Sequence, residues 1–258
     1  MAEQVLCERD GNIAIVTLNN PTARNALSRV MQTELIELFS ELGRDAECRA
    51  IVLTGAGGHF CSGGDVSGMA AERTITEGRE RVTYGHAIIR AIAAGPKPVI
   101  AAVEGFCVGA GLSLAVGSDY LVSSTTASYI SAFSKVGILP DLGLSWSLPT
   151  KIGLGAAKYM FASARKVSAA EGRELGLVDL LVEPEQLRER AIGIAREFTN
   201  GAPLPMAYLK AAYARGLHTL EDALRTEADV QAGLYCSKDH REAVAAFMEK
   251  RAPVFKGV

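Results

Sequence analysis

Short apolar runs followed by glycine-rich turns dominate the first two thirds of the chain. The runs at residues 50–54 and 98–103 have the length and composition of buried strands. They lead into glycine turns at residues 60–65 and 105–111. Glycine lets the backbone approach a ligand closely, so two such turns can direct two N–H groups at one oxygen atom. The pattern predicts an oxyanion hole, and therefore chemistry on a carbonyl whose oxygen becomes negative.

The hydrophobic periodicity around these turns predicts alternating strands and helices. Gly11 and Asn12 separate two strand-like segments and predict a hairpin, and Ser28 predicts the start of a helix. A further helix is predicted over residues 78–94. The residues expected on its inward face are Val82, His86, Ile89 and Ala93. Recurring strand, turn and helix units favour an α/β fold in which helices pack outside parallel strands.

The last third of the chain changes to consecutive helices. Helix-start signatures begin at Ser168 and Thr219, and residues 201–205 combine Gly and Pro as a linker does. The sequence therefore predicts a core over residues 1–200 and a helical region over residues 201–258. Because that region has little core of its own, we expect it to pack on a neighbouring subunit or on its own core.

Composition restricts the class of protein. With 258 residues, 48% of them hydrophobic and 22% charged, the chain is typical of a globular protein with a sizeable core. A net charge of −2 without a Lys/Arg run argues against a nucleic-acid surface, and the apolar runs are too short to span a membrane. Five cysteines without framework spacing, and no signal-peptide pattern, predict a cytoplasmic location. The histidines are scattered, so no metal site is predicted.

Several motifs follow one another in a single order along almost the whole chain. They are residues 20–27 (NPTARNAL), 60–65 (FCSGGD), 97–105 (KPVIAAVEG), 109–115 (GAGLSLA), 135–141 (KVGILPD), 168–179 and the closing segment 247–255. In these motifs the chain resembles the crotonase superfamily, also called the enoyl-CoA hydratase/isomerase family. The resemblance implies a spiral core of ββα units, a C-terminal helical trimerisation region and an acyl-CoA thioester as substrate.

The resemblance also assigns the oxyanion hole. Gly64 and Ala110 occupy the two positions whose N–H groups hold the thioester oxygen in the family. Ala110 begins a predicted helix, so the helix dipole is expected to add to the stabilisation of an enolate.

The residues that hold coenzyme A are assigned in the same way. Arg24 matches a residue that contacts the CoA phosphates, although a solvated surface arginine is the alternative. The backbone around Ser62 and Gly63 is expected to meet the adenine end. Lys250 and Phe255 fall in the tail segment that often completes a neighbour's CoA site. The resemblance implies a homotrimer or a dimer of trimers, and no cofactor besides the CoA of the substrate.

The chain departs from the family pattern at the two glutamates that hydratases use. Those positions hold Ser113 and Phe133, so a two-glutamate hydration mechanism is not expected. Asp141 supplies another carboxylate, in a loop that resembles ring-type and Δ3,Δ2-enoyl-CoA isomerases, where the matching aspartate does acid–base work. An apolar pocket, which Phe133, Leu139, Leu142 and Trp146 could form, would make Asp141 a stronger base. The alternative is that Asp141 caps the next helix.

His86 coincides in position with the base of 4-chlorobenzoyl-CoA dehalogenase, and Asp141 coincides with the nucleophile of that enzyme. The aryl pocket of that enzyme does not match, since Gly64 and Phe133 stand where it has a phenylalanine and a tryptophan. A lone inward histidine is more often a core residue. We therefore interpret His86 as a pocket-lining residue.

The sequence thus predicts an enoyl-CoA isomerase with Asp141 as its single base. The residues expected to line its acyl pocket are Met69, His86, Phe133, Leu139 and Trp146. Three alternatives stay open: a hydratase with a non-standard base, a hydrolytic acyl-CoA dehalogenase using Asp141 as nucleophile, and a non-catalytic acyl-CoA binder.

Overall fold

Two sheets organise the mixed α/β fold. The computed structural model describes residues 3–65 and 72–258. Its strands are β1 (Val5–Asp10), β2 (Ile13–Leu18), β3 (Ala50–Gly55), β4 (Val99–Val103), β5 (Phe106–Val108), β6 (Tyr120–Ser124), β7 (Ser128–Ile130), β8 (Lys166–Ser168) and β9 (Leu180–Val182). Six of them form one sheet in the order β1-β2-β3-β4-β6-β9, while β5, β7 and β8 form a smaller sheet.

The helices surround these sheets. They are α1 (Arg29–Arg44), α2 (Ile75–Ala94), α3 (Ala110–Gly117), α4 (Leu144–Ile152), α5 (Leu154–Ser163), α6 (Ala169–Glu174), α7 (Leu187–Phe198), α8 (Pro203–Arg215), α9 (Leu220–Tyr235) and α10 (Lys238–Glu249). No helix in the described ranges is long and apolar enough to cross a lipid bilayer.

The inner strands of the larger sheet, β2, β3, β4 and β6, are buried on both faces, which explains their continuous apolar sequences. Strands β1 and β2 form the predicted hairpin around Gly11, and each later neighbour pairs in parallel. Alternate residues of β3 serve two cores: Ile51 and Leu53 face the main core, whereas Val52 faces the layer under α7.

Two aspartates anchor the successive strands in the same way. Asp119 precedes β6 and accepts the N–H of Val99 at the start of β4 over 2.7 Å. Asp179 precedes β9 and accepts the N–H of Leu121 in β6, also over 2.7 Å. Each carboxylate therefore fixes the beginning of the neighbouring parallel strand.

Helix α2 begins with a full capping box between Thr74 and Glu77. The prediction for its inward face is wrong by one residue, because the buried positions are Gly85, Ile88 and Ile92. A Cβ atom added to Gly85 would lie 2.9 Å from Cδ2 of Leu142, so this glycine leaves room for the Leu142 side chain. Periodicity counts only apolar side chains and therefore missed it.

The C-terminal helices attach to the rest of the chain through α8, which packs on α2. Lys210 of α8 is only 3% exposed. Its ammonium group donates to the backbone oxygens of Ile92 and Lys97, each over 2.8 Å, and forms an ion pair with Asp119. A cation thus joins the helical region to the end of α2 and to the larger sheet.

Candidate active site

The two glycine turns lie side by side. Cys61 and Cys107 form a parallel bridge, in which the N–H of Cys61 donates to Phe106 and the N–H of Val108 donates to Cys61, each over 2.9 Å. A Cβ atom added to Gly111 would lie 2.7 Å from the backbone oxygen of Cys61. Only glycine allows α3 to begin this close to the first turn.

The N–H of Gly64 points away from the chain that pairs with it. Leu27 donates its N–H to the oxygen of Gly63 over 2.8 Å and accepts the N–H of Asp65 over 3.4 Å. Successive amides of a paired segment alternate in direction, so the amide between these two bonds faces the other side. Gly64 lines a cavity of about 350 Å³.

Ala110 lines the same cavity from the start of α3. The preceding Gly109 donates its N–H to Ile130 over 2.9 Å and has φ +52° and ψ −116°, a conformation that favours glycine. As the first residue of the helix, Ala110 has an N–H without an intrahelical acceptor. The helix dipole adds partial positive charge at this amide.

Asp141 faces the cavity between these two amides and α2. Its Oδ1 atom is buried and has no hydrogen-bond partner among the described residues. Burial raises the pKa of the Asp141 carboxyl, while the charges of His86 and Arg81 oppose that rise. The capping alternative is wrong, because α4 is preceded by Gly143 as its N-cap residue and shows no side-chain capping bond.

The two positions that differ from the hydratase pattern are both packed. The hydroxyl of Ser113 donates to the backbone oxygen of Asp141 over 3.0 Å and contacts that of Gly109 over 3.3 Å. Phe133 is buried, and its Cζ atom lies 4.0 Å from the position that a Cβ atom of Gly109 would take. Phe133 therefore supports the second glycine turn from behind and does not appear among the described residues lining the cavity.

Three other residues expected to line the acyl pocket are absent from its described lining. His86 is half-buried on α2 and influences Asp141 through its charge, but it is absent from the described lining of the cavity. Leu139 is 77% exposed. Trp146 is 46% exposed and lines a different cavity, next to Lys210. The fourth, Met69, falls outside the described residues.

A change of chain direction explains the error at Trp146. Leu142 and Gly143 both have positive φ, +48° and +75°, so α4 starts in a direction that periodicity does not reveal. The turn places Leu142, which is buried, in the cavity wall instead.

The residues predicted to hold CoA divide into two groups. Arg24 and Ser62 lie together, since the N–H of Ser62 donates to the oxygen of Arg24 over 2.9 Å. The Arg24 guanidinium lies 5.3 Å from the centre of the Phe106 ring. Lys250 is exposed at the end of α10, and Phe255 packs within its own chain among α8 to α10. Their contribution to a neighbour's site stays a prediction.

Sequence reasoning missed most of the cavity wall. Besides the predicted three, the described lining residues are Leu27, Gln32, Arg73, Gly78, Arg81, Val82, Gly85, Val136, Ile138 and Leu142, of which the sequence had indicated only Val82 and Leu142. Four of these belong to one face of α2, at relative positions 0, 3, 4 and 7. A search for small and cationic residues at helical spacing would have found that face.

Comparison with known proteins decides the family. The profile of the family Enoyl-CoA hydratase/isomerase matches residues 8–258. The chain belongs to this family. It is 35% identical to the short-chain-enoyl-CoA hydratase of Clostridium acetobutylicum, with 96% of this chain and 95% of that protein covered. It is 33% identical to the 1,2-epoxyphenylacetyl-CoA isomerase of Escherichia coli over the full length of both.

Solved structures agree with this membership of the crotonase superfamily. The enoyl-CoA hydratase of Bacillus anthracis superposes with a TM-score of 0.91 at 30% identity, covering 99% of this chain and 100% of that one. A putative enoyl-CoA hydratase of Streptomyces coelicolor gives the same TM-score at 34% identity, covering 99% and 94% of the two chains. The crotonase-like α/β fold predicted from the sequence is thereby confirmed.

Proposed function

We propose that this member of the enoyl-CoA hydratase/isomerase family is an isomerase that moves a double bond along the acyl chain of a CoA thioester. The observation that carries the proposal is the buried Oδ1 atom of Asp141, which has no hydrogen-bond partner among the described residues. It shares its cavity with Gly64 and Ala110. A carboxylate with a buried oxygen in the same cavity as two backbone donors is an arrangement suited to proton abstraction next to a thioester.

In the proposed reaction, the Asp141 carboxylate removes a proton from the carbon next to the thioester of a 3-enoyl-CoA. The electron pair of that C–H bond moves toward the thioester oxygen, which the N–H groups of Gly64 and Ala110 hold as an enolate. The enolate then collapses while the double bond shifts by one position. Asp141 returns the same proton to the carbon at the far end of the former double bond.

This reaction requires a single acid–base group because it neither adds nor removes water. No cofactor besides the CoA of the substrate enters it. The residues at the positions of the hydratase glutamates support the choice, since the hydroxyl of Ser113 is engaged by backbone oxygens and Phe133 is buried. The name of the E. coli relative, 1,2-epoxyphenylacetyl-CoA isomerase, is consistent with isomerase chemistry in this part of the family.

Two substrates separate isomerisation from hydration. The purified protein is given trans-3-hexenoyl-CoA and, separately, crotonyl-CoA, and the products are separated by liquid chromatography and identified by mass. We expect conversion to 2-hexenoyl-CoA at a rate well above that of crotonyl-CoA hydration. Faster hydration than isomerisation would establish the hydratase alternative, with Asp141 activating water.

The remaining alternatives give different outcomes in the same assay. Release of chloride from 4-chlorobenzoyl-CoA would indicate hydrolytic dehalogenation with Asp141 as nucleophile. Tight binding of CoA esters with no turnover of any of the three substrates would indicate a non-catalytic binder. The variant Asp141→Asn is the control. Each catalytic alternative requires the Asp141 carboxylate, so this variant should be inactive in all three assays.

The helical region supports a proposal of self-association as a homotrimer or a dimer of trimers. Helix α9 is described throughout and has no buried residue in the single chain. Exposed apolar side chains on α8 and α9 include Tyr208, Leu209, Tyr213 and Leu224. Apolar surface of this kind is typical of contact between subunits. Light scattering during size-exclusion chromatography gives the mass of the assembly, and a monomeric mass would overturn this proposal.

A further inference from the structure

Two guanidinium groups line the active-site cavity. Arg81 lines the cavity from α2, and Arg73 lines it from the segment that leads into α2. The carboxylate of Asp141 is the sole acidic group among the described lining residues. A cavity intended only for a hydrocarbon chain would gain nothing from guanidinium groups, because their hydration is lost on binding without compensation.

The position of Arg81 relative to Asp141 follows from the face of α2. Gly85 packs against Leu142, the neighbour of Asp141, with a Cβ position 2.9 Å from Cδ2. Arg81 lies four residues earlier on the same face, which is about 6 Å along the helix axis. An acyl chain that leaves the reacting carbons along α2 therefore reaches Arg81 after a few further carbons.

Apolar side chains also line this cavity. Val82 comes from α2, and Val136 and Ile138 come from the segment that precedes Asp141. All three are exposed in the chain, at 44%, 54% and 47% respectively, although they line the cavity. Their arrangement fits a short hydrocarbon linker that covers them, with a charged group beyond it at Arg81.

The CoA half of the substrate is expected on another side. Its proposed contacts, Arg24 and Ser62, bond to each other and do not appear among the described lining residues of this cavity. The Nη2 atom of Arg81 lies 3.4 Å from the backbone oxygen of Asp65, a long hydrogen bond, and its charge also acts on Asp141. A substrate carboxylate can therefore replace the Asp65 contact at little cost.

We infer that the acyl group of the substrate carries a carboxylate a few carbons beyond the reacting carbons, and that Arg81 binds this carboxylate. The inference rests on the proposed acyl-CoA function for the position of the thioester. It makes Arg81 a determinant of substrate specificity, selecting dicarboxylic acyl-CoA esters over monocarboxylic ones of equal length.

Binding of unreactive esters tests the inference without relying on turnover. Hexanoyl-CoA and adipoyl-CoA have the same chain length and differ in the terminal carboxylate. Titration calorimetry with the wild-type protein is expected to give about tenfold tighter binding of adipoyl-CoA, the effect of a charged hydrogen bond at an accessible site. Arg81→Gln is expected to abolish the preference, and Arg81→Lys to retain part of it because the charge is kept.

Arg79→Gln is the matched control. Arg79 lies on the same helix, is exposed, and is two residues away, so it points to a different side of α2. This variant is expected to keep the wild-type preference. If the preference for adipoyl-CoA is lost in Arg79→Gln as well, the effect is one of general surface charge, and the inference is overturned.

Free CoA distinguishes a carboxylate site from a phosphate site. If Arg81 holds a CoA phosphate, Arg81→Gln weakens the binding of free CoA, hexanoyl-CoA and adipoyl-CoA equally, and the inference fails. Equal affinity of the wild-type protein for both esters overturns it too. A preference for adipoyl-CoA without any isomerisation of 3-enoyl-CoA esters would refute the proposed isomerase while leaving the substrate class intact.

Discussion

The backbone oxygen of Asp141 accepts a hydrogen bond from the hydroxyl of Ser113 over 3.0 Å. Ser113 belongs to α3, the helix whose first residue is Ala110. The loop that carries the proposed base is therefore tied to the helix that carries one oxyanion donor. Ser113, at a position where hydratases have a glutamate, thus joins the two halves of the site through a hydrogen bond.

Removing this hydrogen bond should affect turnover more than substrate binding. Ser113→Ala is expected to lower kcat about fivefold with little change in KM, because loss of one hydrogen bond of about 1 kcal/mol lets the Asp141 loop move. Ser118→Ala is the control, since its hydroxyl donates to the backbone oxygen of Leu114 in the same helix and, among the described residues, has no bond to the Asp141 loop. Equal kcat values for Ser113→Ala and the wild-type protein in the hexenoyl-CoA assay would contradict the positioning role.

The second oxyanion donor can be deleted without removing a side chain. Ala110→Pro eliminates the N–H at the first position of α3, where proline is well tolerated. We expect kcat to fall by about 10²–10³ while CoA esters still bind. Ala110→Gly keeps the N–H and should retain most activity. Similar kcat values for the two variants would exclude this amide from the reaction.

Ionisation of Asp141 should favour activity and lower the stability of the folded protein. Because burial raises the pKa of Asp141, kcat/KM is expected to fall on the acid side at a higher pH than an exposed aspartate would give. The raised folded-state pKa also means that ionised Asp141 lowers stability above that pKa. Asp141→Asn should therefore increase the free energy of unfolding at pH 7, with a gain that vanishes as the pH falls below the unfolded-state pKa.

Asp45→Asn is the control with the opposite sign. The N–H of Glu47 and the Arg9 guanidinium hold the pKa of Asp45 below its usual range, so its charge stabilises the folded state above the unfolded-state pKa. That stabilisation disappears as the pH falls through the lowered pKa. Urea titrations at several pH values measure both effects, and a destabilised Asp141→Asn at pH 7 would contradict a net cost of burying this carboxylate.

Two glycines of α2 should respond differently to the same substitution. Gly78→Ala has no heavy atom within 4 Å of the new Cβ, so helix propensity should raise the free energy of unfolding by about 0.5–1 kcal/mol. Gly85→Ala places its Cβ 2.9 Å from Cδ2 of Leu142 and should displace that side chain beside Asp141. We expect it to lose the propensity gain and to lower kcat/KM, and equal stability gains in both variants would contradict the close packing.

The site was predictable from the sequence wherever a local signal fixes the backbone. Gly64 and Ala110 lie in one cavity because glycine turns at the ends of neighbouring parallel strands meet at one edge of a sheet, as their pattern indicates. Trp146 was misplaced because the positive φ of Gly143 redirects a helix, which periodicity does not record. Arg81 was missed because its role depends on which face of α2 is turned toward the cavity. That orientation is set by tertiary packing at Gly85.

Breaking the buried ion pair of α8 by removing its cation should be strongly destabilising. Lys210→Met leaves Asp119 buried without its cation and is expected to cost about 3–5 kcal/mol. Lys151→Met is the control, since its ion pair with Asp179 at 2.7 Å is more exposed and should cost about 1 kcal/mol or less. Unfolding in urea measures both, and comparable losses would show that burial of Lys210 is unimportant.

The same ion pair connects regions that are far apart in the sequence. Asp119 holds the first N–H of β4, and β4 leads directly into the turn that presents Ala110. Lys210 of α8 forms an ion pair with Asp119. The position of the start of β4 is therefore coupled to the packing of the C-terminal helices. Quaternary assembly through those helices would thus stiffen the catalytic centre without contributing an atom to it.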